Sequence, residues 1–277
     1  MLALLRSGRG SIGPPGIEGL NHEILVSEVG ARGHTRATVR GRRGGEAGHH
    51  CVLLGFVNRS GSNYLSELLQ STGRFGGFEE SLNAYSVRYL APRYDSRSFH
   101  DYLLRLRTEQ VTEPGQIWGM RVGWQQIVLL LRTKAIPHLL QPTLVLIRRR
   151  DVVAQAVSYY IAEETGQWRS DIEAERPRSE VAYNGQAILR KLTSVLESYA
   201  YLSQVALLGG LPHLDVCYED LVDTPTAAVS RLCERISGRG AVPHLRAIRT
   251  KMQRDELDET FKARFLDELG GLNWEPS

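Results

Sequence analysis

The chain has 277 residues, 42% of them hydrophobic and 23% charged, enough apolar material for a sizeable α/β core. Its 34 basic and 31 acidic side chains leave a net charge of +3, all of it within the first 50 residues, so a basic pI gives the folded body no case as a nucleic-acid binder. No apolar run approaches the ~20 residues that span a bilayer, and three cysteines at 51, 217 and 233 are too widely spaced for a disulfide framework.

Residues 1–50 hold eleven of the 27 glycines, with seven arginines against four glutamates. Such a segment buries little apolar surface, and it reads as a flexible leader: a tail, an upstream start-site extension, or an arm for an anionic partner. Ile24-Leu-Val26 is its one candidate edge strand. Met1-Leu-Ala-Leu-Leu5 is shorter than the roughly 7–15 apolar residues of a secretory h-region, which points to the cytoplasm. One folded domain is expected over 51–277.

That domain opens with an apolar strand at Cys51-Val-Leu-Leu-Gly55, a polar loop through Asn58-Arg-Ser-Gly-Ser-Asn63, and a helix directly afterwards. The first amides of a helix have no partner within it, and the peptide dipoles leave partial positive charge there, so this junction suits an anion. Arg59 adds a full charge, Ser60, Ser62 and Asn63 add donors, and Gly61 lets the backbone approach a ligand. The nucleoside-triphosphate loop needs Gly-x-x-x-x-Gly-Lys-Ser/Thr, and its lysine is missing here. A kinase reading therefore loses its main cation.

After this helix comes Thr72-Gly-Arg-Phe-Gly-Gly-Phe-Glu-Glu-Ser-Leu82, where Glu79 and Glu80 suit either a surface cap or acid–base work. Residues 83–116 mix polar side chains with Tyr85, Tyr89, Tyr94, Phe99 and Tyr102, which fit core positions or stacking against an acceptor. Trp118-Gly-Met-Arg-Val-Gly-Trp124 follows. Thr143-Leu-Val-Leu-Ile147 reads as a buried strand; it runs into Arg148-Arg-Arg150 and a helix with Val152, Val153, Ala156 and Tyr160 on one face and Asp151 at its positive end. Strand, cations and helix thus occur twice.

From Val181 to Leu208, apolar Ile188, Leu192, Leu196, Tyr199, Leu202 and Ala206 recur every three or four residues before Gly209-Gly210, which predicts a long helix with a glycine cap and a face for the core or a homodimer contact. Cys217-Tyr-Glu-Asp-Leu221 comes next, and Asp223-Thr224-Pro225 supplies a cap and first-turn proline for a further helix. Alternating strands and helices favour an α/β architecture with a central, mainly parallel sheet. The eight histidines lack metal spacing, and no His-Glu-x-x-His, Cys-x-x-Cys or EF-hand pattern occurs, so no metal site is expected.

The Arg-Ser-Gly-Ser loop resembles the 5′-phosphosulfate loop of sulfotransferases that use 3′-phosphoadenosine-5′-phosphosulfate (PAPS), and the chain is most similar to the bacterial trehalose 2-sulfotransferase family. Arg149-Arg-Asp-Val-Val-Ala-Gln-Ala-Val-Ser158 matches that family's Arg-Pro-Asp-Val-Val, spacer and Gln-Ala-Val-Ser, with Arg150 in place of the proline. Trp118 to Trp124 is similar to Trp-Gly-Gly-Lys-x-x-Trp, with Met120 for a glycine and Arg121 for the lysine, a change that keeps charge and alters geometry. Trp168-Arg169, Tyr218-Glu-Asp-Leu221 and Gln253-Arg254 also have counterparts, so the resemblance runs over roughly residues 51–262.

The resemblance implies a three-layer, P-loop-like sulfotransferase fold. It implies that Arg59, Ser60, Gly61, Ser62 and Asn63 hold the 5′ end of PAPS, that Arg149 and Ser158 hold its 3′-phosphate, and that Arg254 comes from a basic loop over the nucleotide. Arg59 would also stabilise charge developing on the leaving phosphate. Alignment without a gap from Thr72-Gly73 puts the general base at Glu80; a one-residue slip would give that role to Glu79, and His100 and His138 stand in reserve. The expected activity is sulfuryl transfer from PAPS to a hydroxyl of a carbohydrate or glycosylated small molecule, without metal. The alternatives are a phenol or natural-product alcohol as acceptor, an ATP-dependent small-molecule kinase, and a PAP-binding pseudoenzyme.

Overall fold

The computed structural model describes residues 51–136, 142–250 and 255–270. The leader with its Ile24–Val26 patch, His138 and Arg254 lie outside the described residues. The described residues divide into two compact units, the smaller comprising Glu80–Glu109 and the larger residues 51–79 together with those from Gln110 onwards.

The larger unit is built on five parallel strands: β1 (Cys51–Gly55), β2 (Phe75–Glu79), β3 (Ile117–Val122), β4 (Pro142–Arg148) and β5 (His213–Cys217), in the spatial order β2-β3-β1-β4-β5. Cys51 pairs with Trp118 on one side and Pro142 on the other, and Leu144 pairs with His213. A strand buried on both faces reads as an unbroken apolar run, which is why β1 and β4 were legible. From β1 the chain leads toward β2 at one edge, and from β4 toward β5 at the other. The topological switch therefore falls between β1 and β4, the place where open parallel sheets bind ligands beyond their carboxyl ends.

Alternate residues of β1 and β4 face opposite ways. Val52, Leu54, Val145 and Ile147 pack against Leu65, Leu68 and Leu69 of helix α1 (Ser62–Ser71), in a core that also contains Val229, Leu232 and Ile236 of a late helix (Pro225–Ser237). The other face is covered by α4 (Trp124–Arg132) and α6 (Gly185–Leu208). This is the expected α/β layering of helices on both faces of a parallel sheet. A second cluster joins Ala156, Val157 and Tyr160 of α5 (Val152–Thr165) to Ile188 of α6 and to Phe261 and Phe265 of α9 (Glu256–Gly270).

The sequence placed two details of α6 slightly wrong. The helix starts at Gly185 rather than near Val181, because Asn184 caps it by accepting a hydrogen bond from the Ala187 amide at 3.0 Å. Val195, fully buried, takes the core position expected of Leu196, which is 49% exposed. The step from 192 to 196 overshoots a 3.6-residue turn, whereas 188, 192, 195, 199, 202 and 206 stay on one stripe. Between α6 and α9 lie α7 (Tyr218–Asp223) and α8, the Pro225–Ser237 helix. Thr224 precedes Pro225 as expected but makes no side-chain cap, since its hydroxyl donates to the Asp220 carbonyl at 3.2 Å.

The smaller unit consists of α2 (Ala84–Arg93), capped by Asn83, and α3 (Phe99–Gln110), whose last residue passes into the larger unit. Tyr102 is buried and donates from its hydroxyl to the Ser81 carbonyl at 2.7 Å, whereas Tyr85 is 80% exposed. None of the three cysteines forms a disulfide. Among the described residues no helix is long and apolar enough to cross a membrane.

Candidate active site

Two loops meet at the sheet's switch point. The first joins β1 to α1. Arg59 adopts φ 62 and Gly61 φ 92, a left-handed pair that turns the chain sharply before the helix. A Cβ on Gly61 would lie 2.2 Å from the ring of Tyr218, so glycine is required there both for conformation and for space. The turn leaves the N-terminus of α1 without a side-chain cap. Its first amides are therefore available to a ligand.

The second loop joins β4 to α5, and its three arginines point in different directions. Arg148 pairs with Asp215 at 3.0 Å and Arg150 with Asp220 at 2.8 Å, both on the surface. Arg149 turns inward, only 12% exposed, and its guanidinium lies over the Tyr218 ring at 4.7 Å. The Arg149 Nη1 donates to the Arg59 carbonyl at 3.3 Å. Arg59 in turn donates from Nε to Ser158 Oγ at 3.0 Å and from Nη1 to the Trp168 carbonyl at 2.8 Å. Arg59, Arg149 and Ser158, separated by up to 99 residues of chain, form one cluster.

Its electrostatics favour an anion. Burial pushes the Arg59 guanidinium down to about 10, and the like charges of Arg149 and Arg178 push the same way, while Asp258 opposes them. Arg59 therefore remains cationic at neutral pH. The hydroxyl of Ser60 and the Nε of Arg149 are buried without a hydrogen-bond partner among the described residues. Leaving such groups without a hydrogen bond typically costs about 1–3 kcal/mol each.

Several bracing residues escaped the sequence reading. Gln155, fully buried, donates to the Asn58 carbonyl at 2.8 Å and accepts from the Tyr199 hydroxyl at 2.8 Å. The Tyr199 oxygen also accepts from the Arg149 amide at 3.2 Å. Glu219 accepts from the Arg150 amide at 3.0 Å and from the Cys217 thiol at 2.9 Å, with Arg149 Nε 3.9 Å away. Tyr218 and Glu219 thus brace the second loop. Only the motif matches signalled Gln155 and Glu219; nothing local signalled Tyr199.

Beside the first loop, a cleft of about 400 Å³ opens with Asn63 on its wall. It is lined by Glu79, Arg121, Arg169 and Arg249 among others. Strand β2 carries a bulge between Gly77 and Glu79, with φ 90 at Gly77 and 64 at Phe78, which sends the Phe78 ring into the core and leaves Glu79 exposed. Buried Arg121 holds the bulge by donating to the Phe78 carbonyl at 2.8 Å, and it stands 4.0 Å from Glu79. Glu80 and His100 belong to the smaller unit, Glu80 half-buried at its start and His100 on α3.

A five-stranded parallel sheet of this order, with helices on both faces and two loops meeting at its switch point, defines a P-loop-like α/β protein. The chain belongs to the Stf0 sulphotransferase family, whose description matches residues 52–268, and it is a sulfotransferase. It is 25% identical over 219 residues to the trehalose 2-sulfotransferase of Mycobacterium tuberculosis (strain ATCC 35801 / TMC 107 / Erdman), a match that covers 65% of this chain and 81% of that protein. Among solved structures, a sulfotransferase from Alicyclobacillus acidocaldarius aligns with a TM-score of 0.43 at 16% identity, over 80% of this chain and 94% of that one. The sulfotransferase domain of the Synechococcus PCC 7002 olefin synthase aligns with a TM-score of 0.41 at 12% identity, over 83% and 96%.

Proposed function

We propose that this sulfotransferase uses PAPS as donor and a hydroxyl of a carbohydrate or glycosylated small molecule as acceptor. The observation that carries the donor is the cluster of Arg59, Arg149 and Ser158, in which the Arg149 Nε, like the neighbouring Ser60 hydroxyl, is buried without a hydrogen-bond partner among the described residues. Two guanidinia held this close repel each other, and a ligand with separate phosphate groups would relieve both. When bound, PAPS supplies an activated sulfuryl group. Arg59, Ser60, Ser62 and Asn63, with the backbone at Gly61, would hold its 5′ end; Arg149 and Ser158 would hold the 3′-phosphate, joined by Arg254.

The polar cleft beside Asn63 supports an acceptor rich in hydroxyls, and the name of the mycobacterial relative supports a sugar. Glu80 is assigned as the base that takes the acceptor's proton onto its carboxylate. A general base contributes about 10² to 10⁴ in rate. Incubating the full chain with ³⁵S-labelled PAPS and a panel of sugars, glycosides and phenols should therefore label a glycoside, and Glu80→Gln should lower turnover by that order with PAP affinity kept. Labelling of phenols alone would replace the acceptor class, and undiminished turnover by Glu80→Gln would remove the base assignment, with Glu79→Gln then tested in its place.

A further inference from the structure

Residues 239–250 run beside α1 and are tied to it along their length. Arg74, just beyond the helix, donates to the carbonyls of Arg239 at 2.6 Å and Gly240 at 3.1 Å. Ser71 accepts from the His244 amide at 3.1 Å. Glu67, one turn earlier on the same helix face, accepts from the amides of Arg249 at 2.6 Å and Thr250 at 2.9 Å and from the Thr250 hydroxyl at 2.6 Å. Three charge-assisted bonds to one carboxylate make this the firmest of the ties. They fix the backbone of Arg249 where its exposed side chain forms a wall of the cleft.

Three guanidinia therefore share the cleft: Arg121 from β3, Arg169 beyond α5 and Arg249 from the tied segment. Of its two carboxylates, Glu67 directs both oxygens to the segment's donors, which leaves Glu79 as the acid exposed to a ligand. Asp171 takes up the Nε and Nη2 of Arg169 through bonds of 2.9 and 2.8 Å, whereas Arg249 is exposed on the wall of the same cleft. A guanidinium exposed on the cleft wall, as that of Arg249 is, presents planar donors to a carboxylate, phosphate or sulfate, and would gain less from a neutral hydroxyl.

We propose that the acceptor carries an acidic group, and that Arg249, positioned by Glu67, is the residue that selects it. This rests on the reading of the cleft as the acceptor site. The test uses two acceptors that differ only in the acid, 4-nitrophenyl β-glucoside and 4-nitrophenyl β-glucuronide, assayed with PAPS and titrated calorimetrically into the PAP-loaded full chain. The glucuronide is expected to be favoured about ten- to a hundredfold in kcat/KM, the worth of one charge-assisted contact. Arg249→Ala should reduce that ratio by about tenfold or more, through KM, Arg249→Lys should recover part of it, and Glu67→Gln should reduce it as well. A glucoside used as well as the glucuronide, a glucuronide that does not bind, or a ratio that Arg249→Ala leaves in place would overturn the inference. Calorimetry with PAP alone separates the two levels: PAP binding with a flat ratio sinks only the acidic acceptor, whereas failure to bind PAP sinks the donor reading and this inference with it.

Discussion

Arg59 and Gly61 place two left-handed residues within three positions, a conformation that a side chain with a Cβ resists. Arg59 tolerates it because its guanidinium is anchored on Ser158 and on the Trp168 carbonyl, and Gly61 because it has no Cβ to strike Tyr218. Alanine at 61 would add about 1–2 kcal/mol of backbone cost to the displacement of that ring. Since Tyr218 also supports Arg149, Gly61→Ala should lower the melting temperature by several degrees and weaken PAP binding together. An unchanged melting curve would show that the loop relaxes without cost. The residues of this loop were legible because their chemistry is local: glycine, arginine and hydroxyls at the end of an apolar strand.

Among the elements, legibility followed periodicity. Strands β1 and β4 and helices α1, α5 and α6 announce themselves through apolar runs or a 3.6-residue stripe. The bulge in β2 did not, because its cause lies in the neighbouring strand: a Cβ on Gly77 would meet the Gly119 carbonyl at 2.4 Å, and Arg121 holds the Phe78 carbonyl across the gap. Residues 84–110 form two helices whose mixed aromatic and polar pattern gives no clean stripe.

Helix α9 is docked by a charge cluster that equally escaped notice, where Arg178 binds Asp255 at 2.9 Å and also binds Asp258. Burial, reinforced by the hydrogen bond with Asp255 and opposed by Arg178, raises the Asp258 carboxyl to about 6. Its folded pKa lies above the unfolded value, so the folded state binds more protons between about pH 4 and 6 and stability falls as pH rises through that window. Asp258→Asn should flatten the stability profile there, removing a change of up to about 3 kcal/mol. Denaturant unfolding of the variant and parent at pH 4, 5 and 6 measures this, and parallel profiles would exclude Asp258 as the titrating group.

For the whole molecule, strand order decides which loops meet. Because β1 lies between β3 and β4, two loops nearly a hundred residues apart emerge side by side, and the sequence, which showed both loops, could not show their contact. Family resemblance supplied the pairing, and the parallel sheet supplies the reason. The bracing by Gln155, Tyr199 and Glu219 depends on the same long-range assembly, which is why it was hidden. Calorimetric titration of PAP into the full chain and its Arg149→Ala variant examines that contact directly. If the two loops form one site for a doubly phosphorylated nucleoside, the loss of a charge-assisted hydrogen bond weakens binding about ten- to a hundredfold. Equal affinity in the two proteins would mean that Arg149 does not touch the donor and that the proposed site is wrong.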